Sequence, residues 1–158
     1  MIQVTLFMAI AIALVYVTVA RLKRGKGLVS VSSIAYILPT WTFSTFFGLE
    51  CILLAPSVFE HIPEQWQFVG FFTLSGLWAV GSSPYFHTES KALHYFGGYL
   101  FCIAAQVVVT FNQPLLLLCW LPVLYYIISG LLTKKKREDE TFWAEVTAYL
   151  ILVLCLIF

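Results

Sequence analysis

The chain has 158 residues, 61% of them hydrophobic and 17% aromatic, with 11% charged and a formal net charge of +1. Soluble domains carry about 25% charged residues and about half apolar ones, so this chain lacks the polar surface that water requires. The charge balance, with basic residues confined to the ends of apolar runs, also excludes a nucleic-acid binder; what is left is a protein whose outer apolar surface is covered by lipid.

A bilayer span needs about 20 mostly apolar residues. The first such stretch covers residues 2–20 and ends in RLKRGKG. Positive charge after the apolar run, with no basic segment before it, predicts an uncleaved span with its N-terminus outside rather than a secretory signal. The second stretch, 34–58, holds Glu50 well inside it, nearer the outer end and preceded by Phe43, Phe46 and Phe47. A carboxylate at that depth costs a few kcal/mol unless it is protonated, paired or wetted, which makes Glu50 the strongest single candidate for a functional group. Its structural alternative is an interhelical hydrogen bond to a Thr, Ser or Tyr. Pro39 within this stretch predicts a kink. The connection LAPSVFEHIPEQW follows, and then a short third stretch, 67–82, with Gly70 and Gly76.

The next segment, SSPYFHTES, holds His87, Glu89 and the boundary of a fourth span at 93–111, with Lys91 and His94 at its start. If this segment serves only as an interfacial anchor, Thr88 caps that helix with Glu89 in its first turn. A fifth span, 115–132, begins just after Pro114 and contains Pro122, where a second kink is expected. KKKR closes it and EDET opens the sixth span, 142–158, so cations meet free carbonyls while acids and a capping hydroxyl meet free N–H groups. Small residues recur at helical spacing in three spans: Ser44, Gly48, Cys51 and Ala55; Gly76, Ala79 and Ser83; His94, Gly98, Cys102 and Ala105. Helices in lipid associate by close packing at such stripes, so these are the expected contact faces.

All nine Lys and Arg residues fall in the three odd-numbered connections. The even-numbered ones carry Glu60, His61 and Glu64, or nothing charged at all. The positive-inside rule then puts the odd loops in the cytoplasm and both termini outside. The expected fold is an all-α, polytopic transmembrane helix bundle of six spans forming a single domain over residues 1–158. The four cysteines, Cys51, Cys102, Cys119 and Cys155, lie within apolar runs without metal-like spacing, as packing residues do.

If His94 shares the small-residue face, it lies beneath the cytoplasmic mouth of the bundle under a loop carrying His87, Glu89 and Lys91. Glu145 starts the sixth span at a similar depth. These five groups are expected to converge on a shallow polar pocket, with Tyr85 and Tyr95 nearby. The competing reading is interfacial anchoring, with His and Tyr at headgroup level and Lys91 reaching lipid phosphate. Two histidines with Glu89 or Glu145 would be a sparse zinc set, and no HExxH pair, GxSxG elbow or phosphate loop is present, so no metal, cofactor or catalytic residue is assigned.

The run AVGSSPYFHTESKALHYFGGYL resembles small uncharacterised bacterial six-helix membrane proteins in which a V-G-[AS]-[AS]-P-x-F loop is followed by a His-initiated helix. VSVSSIAYIL and TFWAEVTAYL are similar to further segments of that group. The resemblance implies six spans and a bacterial inner membrane, and no activity. Three functions follow as expectations. The leading one is a non-enzymatic bundle binding a lipid headgroup or a partner at a cytoplasmic-side pocket lined by His87, Glu89, Lys91, His94 and Glu145. The second is a proton- or cation-coupled conduit using Glu50, and the third a membrane-embedded lipid-modifying enzyme. Membrane lipids are the expected partners, with a homo-oligomer or another membrane protein beside them.

Overall fold

The computed structural model describes residues 2–134 and 137–158, and these are all-helical, with no strand. Six α-helices follow one another: α1 Ile2–Arg24, α2 Thr40–Glu60, α3 Gln67–Gly81, α4 Lys91–Asn112, α5 Trp120–Leu132 and α6 Glu140–Ile157. Three short 3-10 segments, Ser32–Tyr36, Glu64–Trp66 and Pro114–Cys119, precede α2, α3 and α5. Five stretches are long and apolar enough to cross a membrane: α1, α2, α4, Pro114–Leu132 and α6. At 15 residues, α3 rises only about 22 Å at 1.5 Å per residue, short of the roughly 30 Å hydrocarbon core.

Several local expectations change in the folded chain. Pro39 does not kink a helix; it stands immediately before α2 with φ −54° and ψ 134°, and the apolar run breaks there into a 3-10 turn and a helix. The ring of a proline disfavours helical geometry in the residue before it, while its own missing N–H costs nothing at a helix start. The proline inside α2 is Pro56. Pro122 lies in the first turn of α5, where no intrahelical N–H bond is required, and the expected kink is instead a change from 3-10 to α-helix near Cys119. Thr88 does not cap α4: its hydroxyl donates to the Tyr85 carbonyl, and the cap position belongs to Ser90 at φ +51°. At α6 the cap position is Asp139, and Thr141 lies within the helix. Lys135 and Lys136 of the KKKR run lie outside the described residues.

The helices close in the order α1, α2, α3, α4, α6 and back to α1, with α5 packed outside against α6. The α3–α4 hairpin is the most extensive contact and α1–α6 among the slightest. At the hairpin, a Cβ on Gly76 would stand 2.5 Å from the Phe101 amide nitrogen, and one on Gly97 would stand 2.7 Å from Ala79 Cβ. Only glycine lets the two backbones meet there. The α2 stripe faces α3 as expected: the Ser44 hydroxyl donates to the Gly81 carbonyl at 2.8 Å and the Cys51 thiol to that of Leu74 at 3.4 Å. Tyr16 stacks on Phe46 at 4.0 Å between ring centres and joins α1 to α2.

Peripheral α5 is held by polar clasps. Trp120 donates to Gln106 of α4 at 2.9 Å, and the Tyr126 hydroxyl donates to Asp139 at 2.7 Å. Arg137 lies 4.0 Å over the Tyr126 ring and donates to its carbonyl. The start of α1, the end of α2 and the end of α6 gather at one end of the bundle around Gln3, His61 and Phe158. At the other end, the loop after α1 meets both the loop after α3 and the start of α6, through the Tyr36–His87 stack and the Phe142 amide donating to Val29.

Candidate functional site

Glu50 occupies the middle of α2, not its outer part, because the helix begins at Thr40 rather than at position 34. It is 1% exposed, and Phe46 and Phe47, one turn earlier in α2, are buried as well. Oε2 accepts a hydrogen bond from the Tyr149 hydroxyl of α6 at 2.7 Å. Oε1 has no hydrogen-bond partner among the described residues.

Glu145 lies four residues before Tyr149, hence on the same face of α6 and about 6 Å nearer the loop-rich end. Its carboxylate accepts from the backbone amides of Val31 and Ser32 and, at 3.1 Å, from the Ser32 hydroxyl. Ser30 and Ser33 bond to each other's backbone beside it and order the turn that presents those amides. Glu145 is therefore a latch that fastens the loop after α1 onto α6, with its acceptor capacity used by the protein itself.

Between these two carboxylates lies a partly open cavity of about 350 Å³. That is within the roughly 300–1,000 Å³ typical of small-molecule pockets. Its walls are apolar side chains of α1, α2, α3, α4 and α6, among them Ala13, Phe46, Phe101 and Val146, with Arg21 at the loop-rich end. It is lined by α1 and α6, which are among the most sparsely contacting neighbours in the bundle. Gly98 and Cys102, expected on the helix-packing stripe of α4, line this space instead; a Cβ on Gly98 would meet nothing within 4 Å. The packing role falls to Gly97, one position earlier.

The expected convergence of His87, Glu89, Lys91, His94 and Glu145 does not form. His94 is 4% exposed and roofed by Phe86, which stacks on it at 3.9 Å, while Nδ1 bonds to the Ser83 hydroxyl at 3.2 Å. His87 stacks outside on Tyr36, and its amide donates to the Tyr36 hydroxyl at 2.9 Å. Glu89 and Lys91 are exposed, and Lys91 leans over Tyr95 at 5.9 Å. The physical reason is the apolar plug: Phe86 separates the buried histidine from the loop's charges, and the backbone amides of Val31 and Ser32 draw Glu145 away. No group of three or more His, Cys, Asp or Glu side chains able to hold a metal occurs among the described residues.

Sequence reasoning missed Tyr149, Ser32 and Arg21 as members of a site. The signal for Tyr149 was the i, i+4 spacing from Glu145 in an otherwise apolar helix. The geometry defines a helical bundle with several candidate membrane-spanning helices and one apolar, carboxylate-bearing cavity in its loop-rich half. No protein family, curated protein or solved structure matches the chain.

Proposed function

We propose that the protein is a multi-pass integral membrane protein that binds an amphiphilic, lipid-like ligand in the cavity between α1 and α6. One observation carries the reading: an apolar-walled space of about 350 Å³ that includes a buried, incompletely partnered carboxylate. Apolar walls with a few placed polar groups are the mark of a small-molecule site, and the sparse α1–α6 contact offers entry from the lipid side. The expected cytoplasmic-side pocket is thereby relocated, from the histidine loop to the space shared by Glu50, Glu145 and Arg21. Native mass spectrometry of protein extracted from membranes tests this: wild type retains a co-purifying amphiphile, and Gly98→Leu, which fills the cavity from an unobstructed position, does not.

The same proposal includes six spans, with α3 crossing as a short helix, both termini outside and a bacterial inner-membrane location. It is supported by the segregation of all nine basic residues into odd-numbered loops. Single cysteines at positions 91 and 61 check it. The first is expected to react only from the cytoplasmic side and the second only from the exterior.

A second reading, a proton- or cation-coupled conduit, draws on the succession of Glu50, Tyr149 and Glu145 from mid-helix toward the loop-rich end. It needs a continuation past Glu50 to the other end, where α2 buries Leu54 and Val58. Wild-type flux from Glu50→Gln in liposomes would eliminate it.

A further inference from the structure

Within the amphiphile-binding reading, on which this inference rests, we infer that the ligand is an anion. Its head is an oxyanion, carboxylate or phosphate, held by Arg21 and Thr18 at the loop-rich end, and its single alkyl chain runs into the bundle along α1. Six residues of α1 line the cavity: Ile10, Ala13, Leu14, Val17, Thr18 and Arg21. Their spacing puts them on one face of the helix. That face is apolar from Ile10 to Val17 and then polar, with Thr18 and Arg21 both exposed. From Ile10 to Arg21 it rises about 16 Å at 1.5 Å per residue, the reach of an extended dodecyl chain with its head. A volume of about 350 Å³, near the lower end for small-molecule pockets, suits one chain rather than two.

Of the charged side chains around the cavity, Arg21 is the one left to a ligand. Glu145 is engaged by the Val31 and Ser32 amides and the Ser32 hydroxyl. Glu50 is 1% exposed and bonded to Tyr149. Arg21 accepts from the Gly25 amide through its carbonyl, and its guanidinium has no partner among the described residues. Trp143, another donor at that end, gives its indole N–H to Asp139. Cys102 lines the cavity from mid-length of α4, where a free thiol packs beside an alkyl chain as a small hydrophobe.

A guanidinium keeps its charge and presents a planar fork that fits two oxygens of a carboxylate or phosphate. Thr18, three residues earlier on the same face, offers its hydroxyl to the same head. An alcohol head would accept one N–H without meeting the charge, and an ammonium head would be repelled. The opposing charge at that end is Glu145, whose oxygens are shared among three donors of the loop after α1. Lys23, Arg24 and Lys26 follow Arg21 and favour an anion from farther off.

The test uses the full chain in phosphatidylcholine nanodiscs and four probes of equal chain length: dodecyl phosphate, dodecanoate, dodecanol and dodecyltrimethylammonium. Saturable binding is read by native mass spectrometry near pH 7. Wild type is expected to bind an oxyanion probe about tenfold more tightly than dodecanol, and Arg21→Gln to bring that ratio close to one. A preference shown by either oxyanion and lost in Arg21→Gln upholds the assignment, and the larger of the two identifies the source as phosphate or fatty acid. Equal affinities for oxyanions and dodecanol in wild type, or a ratio unchanged by Arg21→Gln, would overturn it. Inorganic phosphate at the same concentration should leave dodecyl phosphate bound; displacement would overturn the amphiphile in favour of a free anion. Should Arg21→Gln fail to fold, the wild-type preference for an oxyanion over both dodecanol and dodecyltrimethylammonium decides. Gly98→Leu separates the two levels of the argument. If the cavity reading itself is wrong, this variant leaves the binding of every probe untouched. If only the anion assignment is wrong, it abolishes binding of oxyanion and alcohol alike while Arg21→Gln leaves their ratio at its wild-type value.

Discussion

Helix α4 has two faces that treat adjacent glycines in opposite ways. Gly97 presses against α3, where an added Cβ would collide with Ala79 and with the Gly76 carbonyl, whereas Gly98 opens onto vacant space beside α1 and α6. The α3–α4 seam is backbone against backbone, closed by two glycines and by Ser83 bonded to His94. The α1–α6 side is held at its loop-rich end by the Glu145 latch and by the Tyr149–Glu50 bond deeper in, with a cavity between. The contrast separates scaffold from site. Where the bundle needs rigidity it uses small residues and dry contact; where it leaves room, it places an acid that the protein does not fully satisfy.

The contrast can be broken most forcefully at Gly76. Gly76→Val drives a branched side chain into the Phe101 backbone and is expected to cost about 3 kcal/mol, the upper part of the usual range for overpacking. A large drop in the thermal midpoint followed by tryptophan fluorescence would register it, and a near-normal midpoint would mean that the seam is looser than described. Glu145→Ala comes next. Loss of a charged acceptor from the Val31 and Ser32 amides is expected to cost about 2 kcal/mol and to raise hydrogen exchange at those two amides, with the α3–α4 seam unaffected.

Gly98→Ala sharpens the same comparison with the opposite sign. The added methyl enters open space in a helix interior, so stability should rise by about 0.5–1 kcal/mol, while Gly97→Ala one residue away should lower it. The smallest effect concerns the clasp of α5. The Tyr126 hydroxyl, and after it the Trp143 indole, hold the Asp139 carboxyl below the ordinary aspartate range. A carboxylate depressed on folding contributes above its unfolded value of about 3.9 and loses that contribution as pH falls through the lower folded value. The α5–α6 clasp should therefore be unchanged from pH 7 to 5 and weaken below about pH 4. In Asp139→Asn that weakening, followed by hydrogen exchange in α5, should be absent.

Much of this architecture was legible in the chain. Apolar runs located six helices, and the stripes on α2 and α3 fell on their true contact faces, since i, i+3 and i+4 spacing is a local property. Glu50 stood out because a lone acid in an apolar run is expensive wherever the run packs. Its partner was not legible: Tyr149 is 99 residues away, and which of several hydroxyls meets Glu50 depends on the rotation of α6 about its axis. The same limit applies to Gly97 and Gly98, which point about 100° apart on one helix, so that a stripe can be placed a residue off its true seam. The histidine pocket failed for another reason. Nothing in the sequence marks Phe86 out within its polar loop, but it folds inward as the roof of His94.

The central claim, that the space between α1 and α6 receives an amphiphile, is tested most directly by photolabelling with an alkyl phosphate that carries a diazirine in its chain. Mapped by peptide mass spectrometry, adducts should fall on cavity-lining residues of α1 and α6 such as Ala13, Val17, Val146 and Leu150, and should disappear in Gly98→Leu. Adducts confined to the lipid-exposed surface of α5, or the same α1 and α6 adducts at full intensity in Gly98→Leu, would contradict it.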